Sequence, residues 1–324
     1  MEFRTTLDIK KSTILIKPGD AFLTIGSCFA DHLGNQLQKY KFNGLINPFG
    51  TAYNPISIHS LIQYAINNTP PADDTFGSRE GMFFNFDFHS TFSHPGKDAL
   101  HRKIEAAIRE THLSLRQARF LVITYGTSFV YARKENGSIV SNCHKLPAAL
   151  FEKDLLTQKK ILESFEALHK SLMAFNPDLQ MILTVSPVRH IKDTLQLNAV
   201  SKSILRLTTH TLASQFENVH YFPAYEILLD DLRDYRFYAD DLIHPSPAAV
   251  EYIWQRFTET YFSPEAVEFV TRWDEIRKSL AHRPFNPESA QHQQFLKNTI
   301  AKLNELKNQV DVSREVRDLE QQIK

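Results

Sequence analysis

Short apolar runs of strand length alternate with longer stretches in which apolar residues recur at helical spacing. The runs at 21–25, 118–124, 180–185 and 219–222 are bounded by turn residues, and each precedes a segment of helical period. Because strands that are connected through helices lie parallel to one another, this order predicts a mostly parallel sheet with helices on both faces. We therefore expect an α/β protein built as a three-layer α/β/α sandwich.

Two other stretches do not follow this alternation. Residues 70–95 are rich in Pro, Asp, Gly and Phe, which predicts a long irregular insertion with a short hairpin or an edge strand. Residues 135–137 read Glu-Asn-Gly between two strand-like runs, which predicts a β-hairpin.

After residue 262 the sequence contains no further strand-like apolar runs and continues in polar segments with helical periodicity. We therefore expect a main domain at 1–262 and a helical C-terminal extension at 263–324. In the last segment Leu296, Thr299, Leu303, Leu306 and Val310 follow a heptad-like spacing, and the register then slips. This extension could dock on the domain, or it could form a homo-oligomer through its helices.

Composition excludes several classes of protein. Lys and Arg together number 37, as do Asp and Glu, so the zero net charge argues against nucleic acid as a partner. No apolar run approaches the roughly 20 residues that span a bilayer, and the N-terminus does not resemble a signal peptide. The two cysteines, Cys28 and Cys143, cannot form a disulfide framework. We expect a cytoplasmic protein with no membrane partner.

Ser27 is the first candidate for catalysis. It follows Gly26 at the end of the first apolar run, and the carboxyl ends of parallel strands border the ligand crevice of such sheets. A hydroxyl at this position can face the crevice, with the amides at the start of the helix nearby to hold an anion. A Ser at a junction between a strand and a helix is also a common N-cap, so both interpretations stay open.

Asp241 and His244 form the second candidate. A hydroxyl nucleophile needs an imidazole base, and the imidazole benefits from a carboxylate on its other nitrogen. The spacing of three residues allows that contact within one short turn, and the prolines that follow fix the loop. The alternative is that Asp241 is a turn residue and His244 a solvated histidine.

Three further residues are candidates for binding the substrate. Arg189 and His190 follow the apolar run at 180–185, and Lys145 could join Arg189 in recognising an anionic or hydroxyl-rich substrate. A structural pair is an equally good interpretation of Arg189. Cys28 should face away from the crevice if Ser27 faces it, because neighbouring residues in a helix point about 100° apart. The spacing of Cys and His does not predict a metal site.

Several ordered motifs resemble the GSCFA family of bacterial proteins, which is grouped with the SGNH (GDSL-like) hydrolases. The match covers residues 20–262 and leaves out the C-terminal extension. The motifs are Gly26-Ser27-Cys28-Phe29-Ala30, Asn47-Pro48-Phe49-Gly50, Asn142-Cys143-His144-Lys145, Ser186-Pro187-Val188-Arg189-His190 and Arg233-Asp234-Tyr235-Arg236-Phe237-Tyr238. The resemblance implies an SGNH hydrolase-like sandwich of flavodoxin-like type.

The resemblance also implies roles for particular residues. Ser27 matches the nucleophile, His244 the general base and Asp241 the residue that orients it. Gly50 matches the oxyanion-hole glycine. The SGNH motif G-x-N-D supplies an Asn as a further oxyanion donor, but here the matching strand is followed by Gly126-Thr127-Ser128. Asn142 is the best substitute for the missing amide, and Ser128 and Thr127 are the alternatives.

The resulting expectation is a serine esterase or acyltransferase that acts through an acyl-serine intermediate. Its substrate would be an O-acyl group on a carbohydrate or another small molecule, and the mechanism requires neither a metal nor an organic cofactor. Loss of one oxyanion donor can cost about a hundredfold in rate. The alternative is therefore a catalytically weak or inactive binding protein on the same scaffold, with a carbohydrate-like or acylated ligand.

Overall fold

Residues 5–323, described by a computed structural model, form eleven strands and ten α-helices. The strands are β1 (Phe22–Gly26), β2 (Gly44–Ile46), β3 (Phe76–Arg79), β4 (Met82–Asn85), β5 (Ser93–His94), β6 (Phe120–Tyr125), β7 (Phe129–Arg133), β8 (Ile139–Val140), β9 (Phe151–Leu155), β10 (Gln180–Val185) and β11 (Val219–Phe222). The helices are α1 (Cys28–Lys39), α2 (Pro55–Asn67), α3 (Lys97–Gln117), α4 (Gln158–Phe175), α5 (Thr194–Gln215), α6 (Ala224–Glu226), α7 (Pro247–Tyr261), α8 (Pro264–Leu280), α9 (Ala290–Leu306) and α10 (Ser313–Glu320). The ends of the two predicted domains, residues 1–4 and 324, lie outside this range.

The described residues form two compact units. Unit 1 contains residues 5–8, Ala21–Asn35 and Gly44–Gln255, and unit 2 contains Ile9–Asp20, Gln36–Asn43 and 256–323. Each unit is therefore assembled from segments that are distant in sequence. The predicted boundary between 262 and 263 stays a prediction.

The central sheet of unit 1 has five parallel strands in the order β11-β10-β6-β1-β2. Numbered along the chain, these strands follow the order 2-1-3-4-5, which is the flavodoxin-like arrangement. The predicted α/β class with a mostly parallel sheet is therefore confirmed. The strand order reverses between β1 and β6, and ligands of such sheets bind outside the carboxyl ends of the strands at that point.

Both faces of the sheet are buried, as continuous apolar strands require. On one face Leu23, Ile123 and Leu183 pack in the main core with residues of α2 to α5. On the other face α1 lies directly against β1 and β2. A Cβ added to Gly34 of α1 would lie 2.8 Å from two side-chain carbons of Ile46 and 2.9 Å from Thr24 Oγ1. Glycine at this position therefore sets the distance between helix and sheet.

Two small antiparallel sheets cover other parts of unit 1. The predicted hairpin around residues 135–137 is present as β7 and β8, but β9, which the sequence did not predict, also pairs with β7. The insertion at 70–95 forms β3, β4 and β5. Phe84 and Phe86 from the insertion pack with Val140 and Phe151 from the other sheet, so the aromatic residues of the insertion form a core of their own.

Unit 2 contains the helices of the C-terminal extension. Leu296, Thr299, Leu303 and Leu306 are buried on one face of α9, as their spacing predicts. The slip in register falls where α9 ends and α10 begins, so it marks a break between two helices. Trp273 of α8 donates from its indole nitrogen to Lys39 O at 2.9 Å. An oligomer through these helices stays a prediction.

Residues 5–323 contain no helix that combines the length and the hydrophobicity of a membrane-spanning segment.

Replacing Gly34 by Ala tests the close contact between α1 and the sheet. Alanine favours a helix by about 1 kcal/mol over glycine, but its methyl group would overlap Ile46, and overpacking costs about 1–3 kcal/mol. We expect Gly34→Ala to lower the free energy of unfolding by about 1 kcal/mol in urea titrations. The exposed neighbour Asn35 is the control, and Asn35→Ala should change stability by less than about 0.5 kcal/mol. A Gly34→Ala variant as stable as wild type would contradict this packing.

Candidate active site

The turn after β1 fixes which side chain faces the crevice. Gly26 has φ +137°, and a Cβ at this position would lie 2.2 Å from Thr124 O, so glycine is required. The amide of Ser27 then donates to Thr124 O at 3.0 Å, and the Ser27 side chain is fully buried. Its hydroxyl oxygen accepts from the amide of Phe29 at 3.4 Å. Ser27 therefore caps the N-terminus of α1.

Asn47 holds this turn from the neighbouring loop. Its Oδ1 accepts from the amide of Gly26 at 2.8 Å, and its Nδ2 donates to Asp31 Oδ1 at 2.8 Å. Burial raises the pKa of Asp31, and the hydrogen bond from Asn47 partly opposes that rise. The side chain of Asn47 thus ties the end of β1 to the first turn of α1.

Asp241 and His244 form the predicted pair. His244 Nδ1 lies 2.7 Å from Asp241 Oδ2, while Asp241 Oδ1 accepts from the amides of Ile243 and His244 at 2.9 and 3.0 Å. Hydrogen bonds from the His244 amide, the His244 ring and the Ile243 amide lower the pKa of Asp241 to about 2. Because an ionised carboxylate can only accept, Nδ1 carries the proton, and Nε2 of His244 is left as the basic nitrogen.

The loop that carries this pair is closed by backbone contacts and by Arg189. The amide of Ala239 donates to His244 O at 2.8 Å, and the amide of Arg189 donates to Ile243 O at 3.2 Å. The guanidinium of Arg189 lies 3.9 Å from the centre of the Tyr238 ring. Arg189 therefore supports the loop, which is the structural interpretation that the sequence left open, and it also borders the cavity described next.

A cavity of about 310 Å³, which we call the dyad cavity, joins the turn after β1 to this loop. Cys28 and His244 both line it, whereas Ser27 does not. The expectation for Cys28 was conditional on Ser27 facing the crevice, and at this cavity the turn buries Ser27 and leaves Cys28 on the cavity side. The lining consists of Cys28, Tyr53, Asn54, Thr127, Phe129, Tyr131, Val140, Ser141, Val188, Arg189, His190, Lys192, Asp193, Ile243 and His244.

His190 is the second predicted binding residue at this cavity. Its ring packs edge-to-face on Tyr53, with 5.5 Å between the ring centres. Burial, together with the charges of Lys202 and His244, lowers the pKa of His190 to about 4. The ring is therefore neutral at physiological pH and offers the cavity a hydrogen-bonding group without a charge.

Two of the predicted oxyanion donors are engaged elsewhere. The amide of Gly50 donates to Asn47 O at 2.7 Å, and Gly50 does not line the dyad cavity. The hydroxyl of Ser128 donates to Ser201 O at 3.1 Å, and the Ser128 side chain is fully buried. Neither Gly50 nor Ser128 lines the dyad cavity with His244.

Asn142 and Lys145 line a different cavity of about 470 Å³ beside the insertion, together with Arg79, Glu80, Met82, Phe84, Ser90, Ser93 and His144. Asn142 Oδ1 accepts from the amide of His144, whose ring stacks on Phe84 with 4.2 Å between the ring centres. The segment from Asn142 to Lys145 thus joins the insertion to the hairpin, apart from the dyad cavity.

Lys202 is a buried residue of this region that the sequence did not single out. Its ammonium group donates to Gly126 O and Ser186 O, each at 2.7 Å, and so joins the carboxyl ends of β6 and β10. Burial lowers the pKa of Lys202 to about 7, while the nearby thiol of Cys28 acts in the opposite direction. A single lysine in an amphipathic helix gives no sequence signal that would separate it from a surface lysine.

Comparison with known sequences now assigns the family. The profile of the GSCFA family matches residues 21–257, more than half of the chain. The chain belongs to the GSCFA family. The family that the motifs predicted is thus confirmed. A second profile, the C-terminal domain of GSCFA domain proteins, matches residues 273–324, so the extension that the motifs left out also has family relatives.

No curated protein matches the sequence. Among solved structures, the chain is similar to a family 3 carbohydrate esterase from Clostridium thermocellum, with 8% identity, a TM-score of 0.36 and coverage of 78% of this chain and 98% of that one. A family 3 carbohydrate esterase from Talaromyces cellulolyticus has 7% identity and a TM-score of 0.35, with the same coverage of both chains.

The buried ammonium of Lys202 predicts a particular dependence of stability on pH. An unfolded lysine keeps its proton up to a pH of about 10.4, whereas folded Lys202 loses it near its pKa of about 7. Between these two pH values the unfolded state binds more protons than the folded state. The free energy of unfolding therefore rises with pH, by at most about 1.4 kcal/mol per pH unit. We expect urea titrations between about pH 7 and about pH 9 to show this rise in wild type and its loss in Lys202→Met.

Lys159 on the surface of α4, with 83% of its side chain exposed, provides the matched control. Lys159→Met should keep the pH dependence of wild type. A Lys202→Met variant with the same slope as wild type would show that Lys202 is not the group responsible.

Proposed function

We propose that this protein transfers acyl groups by nucleophilic catalysis, as an SGNH-type esterase or acyltransferase. The observation that carries the proposal is the arrangement of Asp241 and His244, which are hydrogen-bonded at 2.7 Å beside a cavity that the turn after β1 also lines. An imidazole whose Nδ1 proton is held by a carboxylate presents a basic Nε2, which is the requirement for activating a hydroxyl or thiol nucleophile.

In the proposed reaction, His244 Nε2 takes the proton of the nucleophile as the nucleophile attacks the acyl carbon. The bond between the carbonyl carbon and the ester oxygen then breaks, and the leaving alcohol takes the proton from His244. Water, or the hydroxyl group of an acceptor, attacks the acyl-enzyme in the same manner and restores the nucleophile. Asp241 keeps the imidazole in the required tautomer and stabilises its protonated form throughout.

The walls of the dyad cavity support a small and hydroxyl-rich substrate. Tyr53, Phe129 and Tyr131 supply aromatic surfaces, and Arg189 and Lys192 supply positive charge. Aromatic faces combined with a few placed polar groups suit a sugar ring or a similar metabolite, and the volume of about 310 Å³ is at the small end of ligand pockets. An O-acyl group on a carbohydrate or small metabolite is the substrate class that we propose.

Two side chains of the turn after β1 can be considered as the nucleophile. Ser27 is the residue that the sequence predicts, but its hydroxyl is buried and caps α1. Cys28 is the next residue and lines the dyad cavity. The proposed activity requires a nucleophile from this turn and His244 as its base, and it does not depend on which of the two attacks.

Substitution of the pair tests the proposal through hydrolysis of a short-chain aryl ester such as p-nitrophenyl acetate. General-base catalysis contributes about 10² to 10⁴-fold, so His244→Ala should lower kcat/KM by at least about a hundredfold. Asp241→Asn should lower it by about tenfold or more, because the amide can donate to Nδ1 and favour the wrong tautomer. His210→Ala, on the exposed side of α5, is the matched histidine control and should retain wild-type activity. Wild-type turnover no faster than that of His244→Ala would contradict the proposal.

A binding protein on the same scaffold is the second candidate function. The engagement of the Gly50 amide with Asn47 and of the Ser128 hydroxyl with Ser201 favours it, because two predicted oxyanion donors are then occupied. Such a protein should bind an acetylated sugar, measured by calorimetry, and should lose that binding when Tyr53→Ala removes one aromatic wall. Turnover of the same sugar by wild type, lost in His244→Ala, would exclude it.

A further inference from the structure

We propose that the dyad cavity selects a substrate with a negative charge, a carboxylate or phosphate group beside the O-acyl group, and that Arg189 and Lys192 recognise that charge. This inference rests on the proposed function, because it names the charge of the substrate at the same site. It follows from the charges that line the cavity, from the partners of those charges and from the way in which the guanidinium of Arg189 is held.

The charged side chains that line the dyad cavity do not balance. Arg189, Lys192 and Asp193 line it, and Asp193 is the one acidic side chain among the described lining residues. Asp193 already forms an ion pair with Lys153, which does not line the cavity. Within residues 5–323, neither Arg189 nor Lys192 forms an ion pair with a carboxylate. The cavity therefore presents two cations that the described residues leave without a counter-ion.

The charge of Lys192 also acts on neighbouring groups. Burial and then the charge of Lys192 lower the pKa of Lys153. Burial raises the pKa of Cys143, and the charge of Lys192 opposes that rise. Two cations that disfavour each other in this way are stabilised by an opposite charge placed nearby. An anionic group bound beside Lys192 would therefore relieve the repulsion between the two lysines.

The guanidinium of Arg189 is held in place by groups that do not neutralise it. Its central carbon lies 3.9 Å from the centre of the Tyr238 ring and 5.3 Å from that of the Tyr235 ring. One of its terminal nitrogens donates to Leu242 O at 3.4 Å. A guanidinium that stacks on an aromatic face keeps donors along its edge, and their spacing matches two oxygens of a carboxylate or phosphate. Arg189 can therefore support the loop and bind an anion at the same time.

Both cations line the same cavity as the proposed base. The amide of Arg189 donates to Ile243 O, next to His244 in the chain, and Lys192 Nζ lies 5.9 Å from the centre of the Tyr131 ring. The cavity volume of about 310 Å³ suits a small molecule. Because the net charge of the whole chain is zero, the attraction is local to the cavity. These features fit a single anionic group on a small sugar, and they do not fit a polyanion.

The first experiment measures the release of acetate by the full chain from three monoacetylated sugars. They are methyl glucoside, methyl glucuronoside, in which a carboxylate replaces the hydroxymethyl group, and methyl glucoside phosphorylated on its primary hydroxyl. Wild type should show a kcat/KM at least about tenfold higher for one or both anionic esters than for the neutral ester, because hydrogen bonds to charged groups are strong. The two anionic esters distinguish a carboxylate from a phosphate. Equal kcat/KM for all three esters would overturn the inference and leave the proposed function standing.

Substitution of the two cations tests whether they carry the preference. The quantity compared is the ratio of kcat/KM for the preferred anionic ester to kcat/KM for the neutral ester, so a general loss of activity cancels. Lys192→Met and Arg189→Gln should each lower this ratio by at least about fivefold. Arg189→Lys should lower it less than Arg189→Gln, because it keeps the charge and loses only the planar fork.

Lys159→Met, on the exposed surface of α4, is the matched control and should keep the ratio of wild type. An unchanged ratio in Lys192→Met or in Arg189→Gln would overturn the role of that residue, and an unchanged ratio in both would overturn the inference. This holds even if Arg189→Gln slows both esters through the loop that Arg189 supports.

A binding measurement decides the matter if none of the esters is hydrolysed, in which case the proposed function fails by itself. Calorimetry compares the same three glycosides without their acetyl groups. Wild type and Lys159→Met should bind at least one anionic glycoside about tenfold or more tightly than methyl glucoside, and Lys192→Met should lose most of that difference. Equal or undetectable affinity of wild type for all three glycosides would overturn the inference independently of any ester.

Discussion

The arrangement of the whole site depends on the close approach of Gly26 to Thr124 O. At 2.2 Å from that oxygen there is no space for a Cβ, so the chain passes from β1 into α1 along one path. This path carries Ser27 inward as a helix cap and brings Cys28 to the crevice at the point where the strand order reverses. A steric constraint on one backbone atom thus determines which of two adjacent side chains lines the dyad cavity.

The polar groups around the crevice are fixed in position by hydrogen bonds within the protein itself. The ammonium of Lys202 joins the ends of two strands, and Asp241 accepts three hydrogen bonds from the loop that it orients. Arg189 supports the same loop from the end of β10. These contacts hold the imidazole of His244 in one orientation, which in the proposed reaction would lower the entropic cost of positioning it.

The sequence predicted the parts of the fold that local patterning determines. The alternation of apolar strands and helices implied the parallel sheet, and the spacing of Asp241 and His244 implied their contact, since both are properties of nearby residues. The strand β9 was missed because its pairing with β7 depends on residues far along the chain. Lys202 was missed because its burial is a tertiary property.

Which of Ser27 and Cys28 lines the dyad cavity could not be predicted for a related reason. The angle of about 100° between neighbouring helical residues was correct, but the choice of which residue faces the crevice depends on where Thr124 lies. Gly50, Asn142 and Ser128 were proposed from their places in motifs, and each has a hydrogen-bond partner that only the folded chain reveals. The order of the motifs therefore indicated the family, whereas the hydrogen-bond partners of individual groups could be identified only from the folded structure.

The side chain of Asn47 also has a consequence for the chemical lifetime of the protein. Asparagine commonly deamidates when the nitrogen of the following residue attacks its side-chain carbonyl and closes a five-membered imide. Here the following residue is Pro48, whose nitrogen carries no hydrogen and cannot form that ring in the usual way. The side-chain amide of Asn47, which links Gly26 to Asp31, is thus protected from deamidation by Pro48.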